Sequence, residues 1–467
     1  MSTTEEIPTK HMIALYYCYP PAGLPNNQLE PHKLFHQETC TNLNLGGRIR
    51  VSEEGINGVL SGTENALREY EASLRKELLQ LLVVVIDNNG SHDDDPTAEW
   101  LDIKYCHLRN DIPTEQQLFD SLQVKITREV VSLIEPTPQN QGKNKGKRCR
   151  QRRKQKRKEK QMQEKLAEAS IGEEDSSNKA TAVKLAAAKE VVNIEDWKKN
   201  TPAQHLSPEE WNNKLLELAQ QEEEGSCEET EAVLLDTRNI YETRVGHFAV
   251  PQLPTLFPNT RKFSSLPLAL NTEEAAEALA GKQVFMYCTG GVRCERAGTY
   301  LRALSDSNSG AWQGKEKPKA IFQLKGGIQK YLETYGEQVE PKSDDDADAK
   351  PCLYRGKNFV FDQRRTDPVI GNGITSKAAS DSRVSSVGQC IICSKTHDDY
   401  DNGFSPCDEK EARCCRCRVL VLVCNDCRPK VRSCGEPETD NVTDLLCGRT
   451  TCIDEGNIAE NVETVRF

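Results

Sequence analysis

The sequence predicts an α/β and α+β multidomain protein with a cysteine-rich tail. Three observations indicate this. Within residues 11–135, short apolar strands alternate with amphipathic helices in the order β-α-β-β-α-β. Residues 284–305 give an apolar strand, a glycine-bearing loop and then a helix. Eleven of the 19 cysteines fall between Cys390 and Cys452. A chain of 467 residues is long enough for two or three domains.

Composition limits the class of protein. The net charge is −11 and the mean hydropathy is −0.66, which indicates a soluble, acidic protein. No apolar run reaches the length of a membrane span, and residues 1–9 lack the apolar core of a secretory leader. We therefore expect no contact with membranes. Clustered cysteines without a leader favour metal thiolates in a reducing compartment, so we expect the cytosol, or the cytosol together with the nucleus.

The first predicted domain covers residues 11–135. Its elements are a strand at 13–19, a helix at 29–43, two strands within 47–62, a helix at 63–82, and strands at 83–86 and 124–134. This order predicts a ferredoxin-like (acylphosphatase-like) sandwich. On spacing alone, Glu53 to Gly58 is an ordinary hairpin turn, in which Gly and Asn are common.

Residues 139–192 form a basic insertion that we expect to be largely disordered. Its densest part, residues 143–160, has twelve Lys or Arg residues and one acid, a local charge of +11, which leaves −22 on the rest of the chain. Such an arm would bind RNA phosphates in a salt-dependent way, or bind nuclear import factors. Both alternatives stay open.

Cys288 is the predicted nucleophile of a second domain, at 193–340. It follows the apolar strand 284–287 and precedes a helix. The loop amides of Thr289, Gly290, Gly291 and Val292 would form an anion nest that binds the substrate. The helix N-terminus and Arg293 add positive charge, which stabilises a thiolate and a bound anion. Cys294 either resolves a disulfide or only packs.

Alternation of strand and helix predicts a doubly wound parallel sheet for this domain, with its site beyond the carboxyl ends of the strands. Asp236 and Arg238 follow an apolar strand, and we expect them to pair below the active loop and support it. His247 is interpreted as structural.

The tail, residues 351–467, is predicted to bind structural zinc. Two CxxC pairs flank single cysteines, a pattern typical of tetrahedral thiolate sites. The candidate ligands are Cys390, Cys393, Cys407, Cys414, Cys417, Cys424 and Cys427. His397 is expected not to be a ligand, and Cys434, Cys447 and Cys452 are expected to be unliganded. No organic cofactor is identifiable.

Cys288-x4-Arg293 between strand and helix resembles the active loop of a rhodanese domain, in which this cysteine carries a persulfide. Residues 52–62, SEEGINGVLSG, resemble a signature of the rhodanese-domain proteins that hydroxylate the wobble uridine of tRNA. Further ordered matches cover most of the chain: 205–211, 235–239, 323–328, 359–362 and the cysteine cluster. The basic insertion departs from the bacterial pattern and indicates a eukaryotic member.

Three hypotheses follow. The resemblance implies an enzyme that converts the wobble uridine of tRNA to 5-hydroxyuridine with dioxygen. Rhodanese chemistry alone implies a thiosulfate-type sulfurtransferase that passes persulfide sulfur from Cys288 to an acceptor. The third hypothesis is a non-catalytic scaffold for RNA or protein, and the intact loop from Cys288 to Arg293 counts against it.

Overall fold

The computed structural model describes most of the N-terminal and central regions and part of the tail. The described residues are 10–20, 23–82, 101–108, 113–133, 202–223, 231–336, 351–360, 365–368, 387–400, 412–414, 417 and 419–430. Among these residues, no helix combines the length and the apolar character needed to cross a bilayer.

The N-terminal region is a five-stranded sheet with two long helices on one face. The strands lie in the order β4-β1-β3-β2-β5. The elements are β1 (His11–Cys18), α1 (Leu29–Asn42), β2 (Gly46–Ser52), β3 (Gly55–Thr63), α2 (Glu64–Leu82), β4 (Leu101–His107), α3 (Thr114–Gln117) and β5 (Leu122–Ile126). Neighbours pair antiparallel except β2 and β5, which are parallel.

Helix α2 shows why the local sequence folds as predicted. The hydroxyl of Thr63 accepts the backbone N–H of Ala66 at 3.3 Å, which caps the helix start. Its apolar residues recur at helical spacing and are buried against the sheet; they are Leu67, Tyr70, Leu74 and Leu78. The predicted helix at 63–82 is therefore confirmed to within one residue.

Two strand predictions in this region need comment. The strand at 83–86 lies outside the described residues, and the fourth strand of the sheet is Leu101–His107. The strand at 124–134 is wrong beyond Ile126. Pairing of β5 with β2 stops at Val51↔Ile126, since β2 itself ends one residue later. The chain then leaves the sheet towards the second region.

The central region is a second five-stranded sheet, in which all described pairs are parallel. Its order is β6-β11-β10-β7-β9. The strands are β6 (Gln204–Leu206), β7 (Ala232–Asp236), β9 (Thr255–Leu256), β10 (Gln283–Tyr287) and β11 (Ala320–Leu324). The helices are α4 (Pro208–Glu223), α5 (Ile240–Thr243), α6 (Leu266–Leu270), α7 (Glu273–Leu279), α8 (Val292–Asp306) and α9 (Gly327–Tyr335).

Two apolar cores lie on opposite faces of this sheet, as a doubly wound fold requires. Helices α6, α7 and α8 cover one face, and α4 and α9 cover the other. Strand β10 lies between them, with Val284 to Tyr287 fully buried. The predicted doubly wound parallel sheet is confirmed, and Cys288 lies at the carboxyl end of its central strand.

The tail is attached to the central region by a small antiparallel sheet. Strand β12 (Tyr354–Val360) pairs with β8 (Gly246–Phe248) on one side and with β13 (Arg365–Pro368) on the other. Short 3-10 turns complete the described elements: Asn26–Gln28, Phe263–Ser265, Gly310–Trp312 and Arg428–Lys430.

Candidate functional site

Cys288 lies at the bottom of a tight loop between β10 and α8. The backbone N–H of Gly291 donates to its sulfur at an N···S distance of 3.1 Å. Gly291 has φ +93° as the residue before the helix, a conformation that favours glycine. This positive-φ residue directs its own amide at the sulfur; of the four predicted nest amides, Gly291 is the one with a hydrogen bond to Cys288 among the described contacts.

The loop lowers the pKa of the Cys288 thiol. Burial alone would raise its pKa. The Cys294 thiol as a hydrogen-bond donor, the charge of Arg293, and the backbone N–H groups of Arg293 and Cys294 outweigh burial and lower the pKa of Cys288 to about 6. The Cys288 thiol is therefore more acidic than an ordinary cysteine thiol.

The thiol of Cys294, next to Cys288, stays protonated. Its side chain is fully buried, and burial together with the neighbouring Cys288 raises the pKa of its thiol well above the ordinary value. The hydroxyl of Thr237 lies 3.6 Å from its sulfur. Its burial agrees with a packing role, and its predicted alternative role as a resolving thiol stays a prediction.

Arg293 does not extend into solvent. Its guanidinium donates to both carboxylate oxygens of Glu242, at 2.7 and 2.5 Å, and to the hydroxyl of Thr289 at 3.1 Å. Thr289 in turn donates to Glu242 at 3.1 Å. Arg293 thus fixes the loop while contributing its charge to Cys288. Sequence reasoning did not identify Glu242 as a site residue. The sequence feature that could have indicated it is an acid at the third position of the helix that follows Asn239.

Asp236 and Arg238 pair as predicted, deep beneath the loop. The Arg238 guanidinium donates through Nε to Oδ1 of Asp236 at 2.9 Å and through Nη2 to Oδ2 at 2.6 Å. Neither side chain is exposed. Arg238 also donates to the carbonyl oxygen of Gly246 at 2.6 Å and to the hydroxyl of Tyr354 at 3.3 Å. The pair therefore connects the central sheet to the strand that carries the tail.

A second glycine supports the loop from below. Gly327, at the start of α9, has φ +66°. A β-carbon there would lie 2.6 Å from the carbonyl oxygen of Cys288 and 2.6 Å from the nitrogen of Gly291. The next two backbone N–H groups, of Ile328 and Gln329, donate to the carbonyls of Cys288 and Thr289 at 3.0 Å. Only glycine permits this close approach of the two backbones.

The N-terminal sheet also reaches the active loop. A β-carbon on Gly291 would lie 2.8 Å from the hydroxyl of Tyr17, a residue of β1. That hydroxyl donates to Glu295 of α8 at 3.4 Å. Tyr17 and Val292 share a small apolar cluster with Val130. Sequence patterns do not reveal contacts between residues so far apart in the chain, and Tyr17 was missed for this reason.

A buried charge cluster joins the same two regions. The guanidinium of Arg296, fully buried on α8, lies 3.2 Å from the carboxylate of Glu54 and 3.1 Å from that of Glu129. Glu54 also accepts the backbone N–H of Val130 at 3.2 Å. Glu54 lies in the two-residue turn between β2 and β3, shorter than the turn predicted at 53–58 because β3 already begins at Gly55, and this turn contributes to the domain interface.

A cavity of about 630 Å³ opens beside the active loop, between the N-terminal sheet and the tail. Gly290, Val292 and Arg293 form part of its wall. Its basic lining residues are Arg48, Arg50, Lys104, Arg261, Lys262, Arg293 and Arg413, and among the residues that the structure describes Glu242 is the one acidic residue of its lining. The cavity is therefore strongly electropositive and suits a small anionic ligand.

Four of the seven predicted metal ligands come together in the tail. The sulfurs of Cys390, Cys393, Cys424 and Cys427 all lie within 4.8 Å of one another, with Cys393 and Cys424 at 3.6 Å. Tetrahedral thiolates about 2.3 Å from a zinc ion would be about 3.8 Å apart, so the group fits such an ion. This cluster can hold a metal.

The other predicted tail residues fall elsewhere. Cys414 and Cys417 are buried but lie outside the four-cysteine group. His397 is also outside this group. Cys407, Cys434, Cys447, Cys452 and the basic arm at 143–160 lie outside the described residues. His247 has its Nδ1 3.2 Å from the carbonyl oxygen of Thr243 and packs on Phe257, a structural setting.

Comparison with known proteins supports the two-sheet arrangement. Residues 11–130 match the family model described as UPF0176 acylphosphatase like domain. Rhodanese-like domain-containing protein 6 of Arabidopsis thaliana is 30% identical over 90% of this chain; the chain spans about half, 51%, of that plant protein. The tRNA uridine(34) hydroxylase of Chlamydia muridarum is 24% identical over 95% of this chain and 89% of its own.

Among solved structures, Saccharomyces cerevisiae Ygr203w, described as a homolog of single-domain rhodanese and Cdc25 phosphatase catalytic domain, aligns with 29% of this chain and 82% of its own. Its identity is 19% and its TM-score 0.19. The sequence relatives instead extend over both sheets and the tail. The chain is therefore similar over most of its length to a rhodanese-like domain-containing protein and to tRNA uridine(34) hydroxylases, and its residues 11–130 match an acylphosphatase-like family model.

Proposed function

We propose that this protein hydroxylates the wobble uridine of tRNA at C5 in an oxygen-dependent reaction. The observation that carries the proposal is the position of Cys288, whose thiol has a lowered pKa, in the loop beside an electropositive cavity. A single nucleotide of an anticodon loop carries a negative charge and can be presented unstacked. The names of relatives that match most of the chain agree with this substrate.

Each residue has a role in this proposal. Cys288 is the catalytic thiolate, and the amides from Thr289 to Val292 bind an anionic group on or beside its sulfur. Arg293 stabilises negative charge at the sulfur and fixes the loop through Glu242. Asp236 and Arg238 are positioning residues, because both are buried below the loop and away from the cavity. Cys294 keeps Cys288 ionised by donating to it.

Sulfur transfer is the second candidate function, and the amide nest favours it. In that reaction the Cys288 thiolate attacks the outer sulfur of thiosulfate, the S–S bond breaks, sulfite leaves, and a Cys288 persulfide remains. The nest and the charge of Arg293 stabilise this anionic persulfide, which then passes its sulfur to a thiol acceptor.

Mass spectrometry of tRNA nucleosides separates the hypotheses. In cells that lack the protein, we expect 5-hydroxyuridine and nucleosides derived from it to disappear from position 34. Wild-type protein returned to these cells should restore them. Unchanged hydroxylation with lost thiolation would instead indicate sulfur transfer to tRNA, and an unchanged nucleoside profile would favour the scaffold hypothesis.

The metal is proposed to be a structural zinc ion bound by Cys390, Cys393, Cys424 and Cys427. The tail that it stabilises packs on the central region, where the hydroxyl of Tyr400 donates to the carbonyl of Tyr241 at 2.9 Å. Cys414 and Cys417, with Cys407, remain proposed ligands of further metal.

Removal of the metal should therefore weaken the site as well as the tail. We expect protein purified under reducing conditions to carry one or two zinc ions. A strong chelator should unfold the tail and lower tRNA binding, because Arg413, Val419 and Leu420 line the cavity. The two sheets should keep their circular dichroism. Elemental analysis that finds no zinc in such protein would contradict the assignment.

The basic arm at 143–160 is proposed to bind RNA, with binding of import factors as the alternative. In either case the protein acts on tRNA in the cytosol, or in the cytosol and nucleus.

A further inference from the structure

The face of the N-terminal sheet opposite α1 and α2 has a basic edge on β2 and β5 next to a more apolar middle that includes Leu15, Tyr17 and Val59. Basic and apolar residues alternate along strand β2 in the order Arg48, Ile49, Arg50 and Val51. Ile49 and Val51 are buried against the helices, whereas Arg48 and Arg50 are exposed on the opposite face. Both arginines line the cavity beside the active loop.

Cross-strand pairing extends this face into two rows. Residues that are directly opposite on paired strands point to the same face of a sheet. One row runs Asp102, Tyr17, Asn57, Arg50 and Lys125, and the other runs Lys104, Leu15, Val59, Arg48 and Gln123. Asp102 is paired with Lys104 at 2.5 Å, at the edge of the sheet away from the arginines.

The rows lead from the basic edge of the sheet to the catalytic loop. Tyr17, in the middle of the first row, lies against Gly291. Asn57 is next to it, and its amide is 3.5 Å from the carbonyl of Val130. Arg50 and Lys125 come last, and both are exposed. An anion that crosses this face from Lys125 towards Tyr17 therefore ends beside Cys288.

We infer that this face of the N-terminal sheet is the surface on which the single-stranded anticodon loop lies, with Arg48 and Arg50 binding the phosphates that flank the target uridine. The inference rests on the proposed function for the identity of the RNA. Positive charge on a concave surface matches the phosphates of a single strand, and Tyr17, which lines the same cavity, lies next to the loop. A duplex is too wide to enter a cavity of about 630 Å³.

The test measures binding of a 17-nucleotide anticodon stem-loop with uridine at the wobble position, using the full chain and a salt titration. Arg48→Gln/Arg50→Gln should lower the affinity on the order of tenfold. It should also reduce the salt slope by about 1.4, since each phosphate contact to a single strand contributes about 0.7. Arg68→Gln/Arg75→Gln removes the same charge from α2, on the helical face, and should change neither quantity.

Three results would overturn the inference. The first is an Arg48→Gln/Arg50→Gln protein with the wild-type slope. The second is loss of the whole salt dependence when 143–160 is deleted, which would assign binding to the arm. The third is equal affinity for a duplex of the same length or for polyglutamate, which would indicate a generic polyanion surface. A circular dichroism spectrum and a urea unfolding midpoint equal to those of the wild-type protein show that the variant is folded.

Binding and chemistry are tested separately here. If cells that lack the protein keep 5-hydroxyuridine, the proposed reaction fails, yet the two arginines can still be shown to bind the stem-loop. If 5-hydroxyuridine disappears but the two arginines do not affect binding, the reaction stands and the binding surface is elsewhere.

Discussion

Replacement of Cys288 by serine is expected to reduce formation of 5-hydroxyuridine to below about one thousandth of the wild-type rate. A serine hydroxyl neither ionises near neutral pH nor carries a persulfide, so both candidate reactions lose their nucleophile. The buried loop leaves little room for another group to take over, because its amides and Arg293 converge on this one sulfur. Nucleoside mass spectrometry of tRNA incubated with purified protein measures the loss.

Cys294→Ser is the matched control, since it changes the same element next to Cys288. We expect this variant to keep activity but to require a higher pH. In the wild-type protein the Cys288 thiolate is present above about pH 6 and is lost as pH falls through that value. The serine side chain is shorter, so its oxygen lies farther from the Cys288 sulfur and stabilises the thiolate less; the midpoint of iodoacetamide alkylation should therefore move to a higher pH. Full activity in Cys288→Ser protein would refute the assignment of the nucleophile.

Arg296→Met is expected to destabilise the full chain by about 3–5 kcal/mol, because it leaves two carboxylates buried without their cation. Glu54 and Glu129 both contact the Arg296 guanidinium and are nearly inaccessible to solvent. Urea unfolding followed by tryptophan fluorescence measures the effect, since Trp211 and Trp312 are fully buried in the central region.

The triple variant Glu54→Gln/Glu129→Gln/Arg296→Met provides the control. Removing the acids together with the cation leaves no unpaired charge, and most of the lost stability should return. If the triple variant is as unstable as Arg296→Met, the loss is one of packing, and the charge cluster does not stabilise the interface.

The sequence was informative wherever one segment determines its own structure. The strand before Cys288, the glycine-bearing loop and the start of α8 are contiguous, so apolar run, turn chemistry and helical spacing predict them together. The same holds for α2 and for Asp236 with Arg238, two residues apart. The CxxC pairs likewise have a fixed local spacing, and the four-cysteine group in the tail was therefore predictable.

What escaped prediction depends on segments that meet only after folding. Glu242 precedes Arg293 by 51 residues, and Tyr17 precedes Glu295 by 278. Neither spacing carries any periodicity. The end of β5 at Ile126 could not be predicted from the sequence either, because it is determined by where the partner strand β2 ends. The basic edge of the first sheet needed the strand register, which sequence alone does not supply.

Four consecutive residues of α8 contact different parts of the molecule. Arg293 binds Glu242 within the central region, Cys294 donates to Cys288, Glu295 accepts from Tyr17, and Arg296 contacts Glu54 and Glu129. One helical turn therefore specifies both the reactive centre and the attachment of the neighbouring domain. The two domains are consequently not interchangeable modules. A chimera that replaced either domain would have to keep this helical turn together with its contact residues Tyr17, Glu54 and Glu129. The two domains can therefore be exchanged only together.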